Sequence, residues 1–283
     1  MATTNIKPIE SSRATIYGLA AMIAQAYGMS VDTNIAMTLN TKFGSFATQT
    51  PKNALLTRQF IYGYGGRAND SDGLGYANIV SGLDGCLFSP MAARAVPLSQ
   101  DLTAAERLNY GLRTVQQLSG QTYAVYYSKA LDFTSSTVQL MRKDPTTGQM
   151  TTYTPDTANM TPVPLSADAN GVVTDPADVI SVVVPATLTI QGSDVIEVVN
   201  AMFGGDRRYA MITEYGLVCA SQETVSSNDA NDVAFTYTEQ IGAQMASHYT
   251  WGGFQVASES TVFTRTRNIP SVPYTHLQLP TKR

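Results

Sequence analysis

The spacing of apolar residues changes at Gly120, and this change constrains the fold more than any other feature of the sequence. Upstream of Gly120, apolar residues recur every three to four positions, as on one face of a helix. Downstream they alternate with polar residues, and the run 122–127 is rich in residues that suit a pleated sheet. We therefore predict an α+β fold, with a mostly antiparallel sheet core and three to four helices packed around it.

Helical spacing is clearest over residues 103–120. Thr103 and Glu106 form a capping box, which satisfies free amides at the start of a helix. Leu108, Leu112 and Val115 follow on one face, and Gly120 supplies a C-terminal stop. Four further segments are predicted to be helical: 11–28, with Ser12 as N-cap and Gly28 as stop, 32–40, 194–203 and 238–249.

Strands are predicted mainly after Gly120. Residues 138–143 and 149–154 flank Asp-Pro-Thr-Thr-Gly at 144–148, a turn sequence that predicts a hairpin. Further strands are expected at 58–64, 179–190, 209–220 and 254–267. Residues 155–178 show little periodicity, and aperiodic stretches of this length are usually functional or flexible. We expect them to form a projecting loop or arm that contacts a neighbouring subunit.

The order of these elements predicts two parts of the chain. Residues 1–57 are expected to form an N-terminal helical segment or arm. Residues 58–283 are expected to form the α+β domain, from which the loop 155–178 projects. A chain of 283 residues can bury a sufficient core without a disulfide or a metal.

Charged residues are scarce, since Asp, Glu, Lys and Arg make up 14% of the chain, against about a quarter in a typical soluble domain. A surface of this kind lacks the repulsion that keeps solitary proteins apart. It therefore indicates a subunit that packs against copies of itself. Tyr123, Tyr126 and Tyr127 are expected to place rings on both faces of one strand, one face for the core and one for an interface.

Composition also argues against several classes of protein. The net charge of −4 comes without a basic stripe, which argues against direct nucleic-acid recognition. We find no apolar run of the ~18 residues that a membrane span needs and no secretory signal, so synthesis and assembly in the cytoplasm are expected. Cys86 and Cys219 do not constitute a disulfide framework, and Cys219 is expected to be a small buried apolar residue. A redox role for either cysteine stays open.

Two motifs match ligand sites without the context that those sites need. The sequence Gly-x-Gly-x-x-Ala from Gly63 matches a dinucleotide fingerprint, but turn-forming residues follow it instead of a helix. We interpret residues 63–76 as a flexible surface loop. Residues 168–171 with Asp175 lack most ligands of a calcium loop, so we interpret them as a solvated turn. No cofactor and no metal site is therefore expected.

We predict no catalytic residue. His248 and His276 lie outside any metalloprotease motif, and His248 is expected to have a hydrogen-bonded packing role on the predicted helix 238–249. Nucleophile-elbow and Walker sequences are absent. The sequence therefore indicates that the protein is not an enzyme. A carboxylate-dependent hydrolase stays open as an alternative, because its two acids can come from remote segments.

Four segments occur in a suggestive order: DLTAAERLNYGLR at 101–113, YAVYYSKALD at 123–132, DVIEVVNAMF at 194–203 and YAMITEYGLVC at 209–219. Over residues 83–246 this order resembles virion structural proteins of tailed bacteriophages. The resemblance implies a non-enzymatic building block of the capsid, neck or tail that has no cofactor. We therefore expect a homo-oligomeric ring or array at the neck, collar or tail of a virion, bound to copies of itself and to other virion proteins. Capsid decoration, or another role in the capsid shell, is the alternative.

Overall fold

The computed structural model describes residues 10–26, 29, 39–69, 75–134, 136–144, 146–155, 164–172 and 180–270. Over these residues the predicted α+β fold with a mostly antiparallel sheet core is confirmed. The helices are α1 (Ile16–Ala26), α2 (Leu39–Phe43), α3 (Ala104–Arg107) and α4 (Gly192–Met202). The strands are β1 (Glu10–Ala14), β2 (Leu56–Gly63), β3 (Arg67–Asn69), β4 (Gly75–Ala77), β5 (Pro90–Met91), β6 (Arg94–Pro97), β7 (Tyr110–Leu118), β8 (Gln121–Ala130), β9 (Gln139–Lys143), β10 (Met150–Thr152), β11 (Ile180–Gln191), β12 (Met211–Asn228), β13 (Ala234–Gln255) and β14 (Val262–Pro270).

The larger sheet has eight strands in the order β1-β13-β12-β2-β8-β6, with β5 beside β2 and β7 beside β8. All of its strand pairs are antiparallel. Its centre carries fully buried side chains such as Phe60 and Tyr62 on β2 and Tyr215 on β12. Burial of such aromatic surface is a dominant favourable term in folding, so this region is the core of the sheet.

The chain divides into two compact units. One comprises Met1–Leu131 and Leu188–Thr264, and the other comprises Asp132–Thr187 and Arg265–Arg283. The second unit contains most of a four-stranded sheet in the order β10-β9-β11-β14. The expected boundary at residue 57 is not where the structure divides, because β1 pairs with β13 and the N-terminal residues are part of the first unit.

The helix predicted over residues 103–120 is wrong beyond its first turn. The capping box between Thr103 and Glu106 is present, but α3 has only four residues. The chain then enters β7, and Ser119 and Gly120 have φ angles of +50° and +84°. Two successive left-handed residues form the type I′ turn that joins β7 to β8. Gly120 therefore provides a hairpin turn where a helix stop was predicted, because both structures require a residue with positive φ.

The helix predicted over residues 238–249 is also wrong, since these residues lie within the 22-residue strand β13. Every residue from 239 to 245 is buried. A strand covered on both faces loses the alternation of polar and apolar residues, so its sequence cannot be told from a buried helix by period alone.

The N-terminal prediction is correct for part of its length. α1 lies within the predicted range 11–28, but Ser12 belongs to β1 and Gly28 lies outside the described residues. Thr15, and not Ser12, is the N-cap of α1, because its Oγ1 accepts the N–H of Gly18 at 3.1 Å. Most of the predicted helix 32–40 also lies outside the described residues, and α2 begins at its end.

The single strand predicted at 254–267 is wrong, because β13 ends within it, residues 256–261 form a turn and β14 begins after that turn. The predictions that follow agree with the described residues. The hairpin over 138–154 is present as β9 and β10, and the carboxylate of Asp144 accepts the N–H groups of Thr146 and Thr147 in its turn. The helix predicted at 194–203 is α4, and the strands predicted at 179–190 and 209–220 match β11 and β12. Of the predicted arm 155–178, the structure describes 155 and 164–172; the prolines from residue 271 onwards lie outside it.

Candidate functional site

Glu214 is a completely buried carboxylate on β12. Its Oε1 accepts the N–H groups of Gly65 at 2.9 Å and Ser89 at 2.8 Å, and its Oε2 accepts that of Phe88 at 3.0 Å. These charge-assisted bonds replace the hydration that burial removes. One backbone amide of the glycine-rich segment, that of Gly65, therefore donates to a side chain of the protein itself.

The glycines of this segment permit close approach of two backbones. A Cβ atom on Gly66 would lie 2.2 Å from the carbonyl oxygen of Thr213, and one on Gly63 would lie 2.2 Å from that of Ser89. The interpretation as a flexible surface loop is wrong for the described residues 63–69 and 75–76, which run through β3 and β4. In the described residues the dinucleotide match is followed by β3 and β4, where a pyrophosphate site would require a helix.

His248 connects Glu214 to another acid, Asp84. Its ring is buried on β13, with Nε2 3.0 Å from Oε2 of Glu214 and Nδ1 2.8 Å from Oδ2 of Asp84. Both ring nitrogens therefore lie within hydrogen-bonding distance of a carboxylate oxygen, and the imidazole bridges the two acids. The ring of Phe88 lies with its centroid 5.0 Å from that of the imidazole. This bridge fastens residues 84–89 to the centre of the sheet.

Glu239 is a second fully buried carboxylate, on β13. It accepts the N–H groups of Leu112 at 2.7 Å, Arg113 at 2.8 Å and Gln240 at 2.6 Å. Leu112 has a φ of +55°, which turns two successive amides of β7 towards the same anion. Burial nevertheless raises the pKa of Glu239 to about 7, against the opposing effect of these donors.

Asp101 organises another polar cluster. It accepts the hydroxyl of Tyr126 at 2.6 Å and the guanidinium Nη2 of Arg113 at 2.8 Å, and it pairs with Arg107 at 3.2 Å. The guanidinium of Arg107 lies 4.0 Å from the ring centroid of Phe235. Such an arrangement combines ion pairing with cation–π contact, so it holds the tip of the β12–β13 hairpin against β7 and α3.

Asp194, in the first turn of α4, binds three side chains. Its carboxylate accepts Lys129 Nζ at 2.8 Å and the Tyr110 hydroxyl at 2.9 Å, and it pairs with Arg94. Burial, and secondarily the charge of Asp194, raise the pKa of Tyr110. The acid is therefore fully occupied by internal partners.

Beside this cluster lies an open cleft of about 650 Å³. Polar side chains dominate its lining: Arg94, Gln100, Tyr123, Ser193, Glu197, Asn200 and Glu259. Burial raises the pKa of Glu197, and the charge of Arg94 opposes that rise. A cleft that holds two carboxylates is the kind of place where a carboxylate-dependent hydrolase would act.

The three tyrosines of β8 have different environments. Tyr126 points to Asp101, and Tyr127 on the other face stacks on Phe43 with ring centroids 4.0 Å apart. Tyr123 lines the cleft. Rings therefore lie on both faces of the strand, as predicted, but two of the three serve the interior.

Both cysteines are free thiols, and neither environment favours the reactive thiolate. Burial raises the pKa of Cys86 to about 11 and that of Cys219 to about 12. Cys219 is buried, as expected of a small apolar residue. Thiols are reactive chiefly as thiolates, so these shifts argue against redox chemistry at neutral pH.

The remaining motif residues add no ligand site. Asp168 accepts the N–H groups of Asn170 at 2.9 Å and Val172 at 2.8 Å, as in a solvated turn, whereas Asp175 and His276 lie outside the described residues. Within the part of the chain that the structure describes, no three His, Cys, Asp or Glu side chains converge on a possible metal position. None of the helices in that part is both long enough and apolar enough to cross a membrane.

Comparison with known proteins gives one match. The profile of DUF7208, described as a family of unknown function, matches residues 1–269. The chain belongs to this family. No curated protein matches it, and neither does any solved structure.

Proposed function

We propose that this DUF7208 protein is a non-enzymatic structural subunit of a tailed-phage virion, which assembles with copies of itself into a ring or array at the neck, collar or tail. The observation that carries the proposal is its charge-poor surface, because charged residues are only 14% of the chain. Large apolar side chains are exposed as well, among them Ile79 at 75%, Leu108 at 70% and Val138 at 70%. Such a surface favours association over solitary existence.

The polar interior supports the same proposal. Glu214, Glu239, Asp101 and Asp194 each accept hydrogen bonds from segments far away in the sequence. Saturated acids of this kind act as fixed cross-links and have no free oxygen to offer a substrate. A rigid subunit with internal cross-links suits a particle that must keep its shape.

The segment 155–178 is proposed as an arm that contacts a neighbouring subunit. In its described part, Leu165 and Val172 are 52% and 56% exposed. Ordering a free segment costs about 1–2 kcal/mol per residue, so an interface would have to hold it. Limited proteolysis should cut this segment in the free protein and spare it in the assembled form. Equal resistance in both forms would contradict the arm.

The number of copies of this protein in purified particles tests its location within the virion. A few to a few dozen copies per particle, measured by quantitative mass spectrometry, would support a neck or tail ring. Several hundred copies would indicate the capsid and favour capsid decoration or another shell role. Absence from purified particles would refute the virion role.

The cleft beside α4 is the observation that favours the alternative, a carboxylate-dependent hydrolase. Glu197 and Glu259 line it, and burial raises the pKa of Glu197, as a general acid requires. Hydrolysis of model glycosides or esters by the purified protein that disappears in Glu197→Gln would support this alternative. The same experiment with Glu10→Gln, at an exposed acid outside the cleft, is its control.

A further inference from the structure

The strand β7 forms a free edge of the larger sheet. Among the described residues β8 is the strand that pairs with it, from Tyr110↔Lys129 to Leu118↔Gln121. Its N-terminal part is covered, because the amides of Leu112 and Arg113 donate to Glu239. Residues 114–118 have no such cover among the described side chains and end at the type I′ turn.

The turn between β7 and β8 determines which backbone N–H and C=O groups of β7 point to β8 and which point outwards. The pair Leu118↔Gln121 closes a two-residue hairpin loop, so Leu118, Gln116 and Thr114 direct their backbone groups to β8. Val115 and Gln117 therefore direct theirs outwards, in phase with the outward N–H of Arg113. Each outward residue offers one donor and one acceptor to another strand.

The composition of this edge is unusual for an exposed strand. Natural proteins block sheet edges with Lys, with Pro or with inward-pointing charges. The stretch 114–118 reads Thr-Val-Gln-Gln-Leu, which has no charge and no proline. The side chain of Val115 is 46% exposed. The edge is therefore open to strand pairing and carries nothing that would repel an identical edge.

We propose that residues 114–118 pair with the same residues of a second copy of this chain, antiparallel about a two-fold axis at Gln116. The proposal rests on the self-assembly proposed above and specifies one of its contacts. Val115 of one copy then faces Gln117 of the other, and these two pairs make four backbone hydrogen bonds. Five residues bury too little surface for a stable dimer on their own, so the contact would act together with others in an assembly.

A two-fold contact also limits the symmetry. It builds dimers, which are the units of arrays and of rings with dihedral symmetry. In a single-layered cyclic ring of three or more subunits no two-fold axis relates adjacent subunits, so such a ring would have to use a different surface.

Cysteine cross-linking tests the register. Gln116 would face its own copy in a non-hydrogen-bonded pair, where Cβ atoms approach most closely. Gln116→Cys is therefore expected to form an intermolecular disulfide under mild oxidation, seen as a dimer on a non-reducing gel. Gln25→Cys is the matched control, because Gln25 is an exposed glutamine on the helix α1.

Self-association in solution tests whether residues 114–118 make the contact between copies. Val115→Lys places like charges near each other across the axis, and Gln117→Pro removes an N–H that points away from β8. Both should weaken self-association at least tenfold by analytical ultracentrifugation, while Gln25→Lys behaves as wild type. Unchanged circular dichroism would show that the variants fold.

The outcomes separate the edge contact from the proposed function. If wild type associates while Gln116→Cys forms no more dimer than Gln25→Cys, and the edge variants associate normally, the edge contact is wrong and self-assembly stands. Wild-type protein that stays monomeric without cross-linking at high micromolar concentration would also overturn the edge contact. The virion role would then be decided separately by copy number in particles.

Discussion

At the scale of single residues, acids are fixed inside this protein by backbone amides. An unpaired carboxylate in the interior would cost several kcal/mol, but Glu214 and Glu239 each accept three backbone N–H groups. Most of the donors lie on segments remote in sequence, so each acid ties strands and loops together. These two buried acids thus join parts of the chain that are distant in sequence.

Replacement of Glu214 should therefore be severe. In Glu214→Gln an amide NH₂ replaces one oxygen, so a donor faces either the N–H of Phe88 or the N–H groups of Gly65 and Ser89. We expect a loss of about 3–5 kcal/mol in the free energy of unfolding, measured with urea. Glu259→Gln, at an exposed carboxylate, should leave it unchanged. A loss of less than about 1 kcal/mol in Glu214→Gln would contradict the role of these bonds.

Glu239 should make stability depend on pH. Burial raises its pKa from 4.5 to about 7, so folding disfavours the charged form. Its contribution is fully present below pH 4.5 and is lost as the pH rises through about 7. The difference corresponds to about 3 kcal/mol. In Glu239→Gln the fall of the unfolding free energy between pH 4.5 and about 7 should disappear, as measured by urea titrations at several pH values. The variant is nevertheless expected to be less stable at every pH. If the unfolding free energy of the variant changes with pH as that of the wild type does, other groups cause the pH dependence.

At the scale of elements, the hairpin β7–β8 depends on its type I′ turn. Ala in the left-handed conformation of Gly120, with a φ of +84°, should cost about 1 kcal/mol. Gly120→Ala is expected to lower the unfolding free energy by that amount. Gly252→Ala is the control, because an added Cβ there meets no atom within 4 Å and its φ is ordinary. Equal effects of the two changes would argue against the left-handed turn.

The elements that sequence reasoning identified are those with strong local signals. The hairpin at β9–β10 has a turn sequence, and α4 has a clear apolar face and a glycine stop. β7 and β13 were missed for different reasons. β7 follows a genuine capping box, and its end has the glycine that a helix stop would also use, whereas β13 is buried on both faces.

The polar sites could be predicted less well than the elements. The glycines from Gly63 were interpreted as a flexible surface loop, and the sequence could not show that the amide of Gly65 donates to Glu214. Glu239 gave a weaker signal, an acid within an otherwise neutral run. Both acids meet donors that lie more than a hundred residues away, and such pairings depend on strand order. Local periodicity carries no information about that order.

At the scale of the whole molecule, charged residues are scarce and some acids form bonds inside the protein. Both features leave few charges for contacts between copies. Carboxylates that tie strands together contribute little field at the surface, since their charges are matched by nearby donors. Thr, Ser, Gln, Asn and apolar side chains share the exposed surface with a small number of charged side chains, such as Arg13, Arg142 and Lys143. Contacts between copies would therefore be made by apolar burial and by neutral hydrogen bonds.

Association between copies should accordingly be insensitive to salt. Screening shortens the Debye length from roughly 14 Å at 0.05 M salt to roughly 4 Å at 0.5 M, which weakens contacts between surface charges. Contacts made by apolar burial and neutral hydrogen bonds, such as the one proposed at 114–118, carry no charge to screen. Mass photometry should show the same oligomer distribution across this range of sodium chloride, and sodium sulfate should shift it towards larger species, because sulfate strengthens apolar burial. Dissociation on raising sodium chloride would instead show that ion pairs join the subunits and would contradict a charge-poor interface.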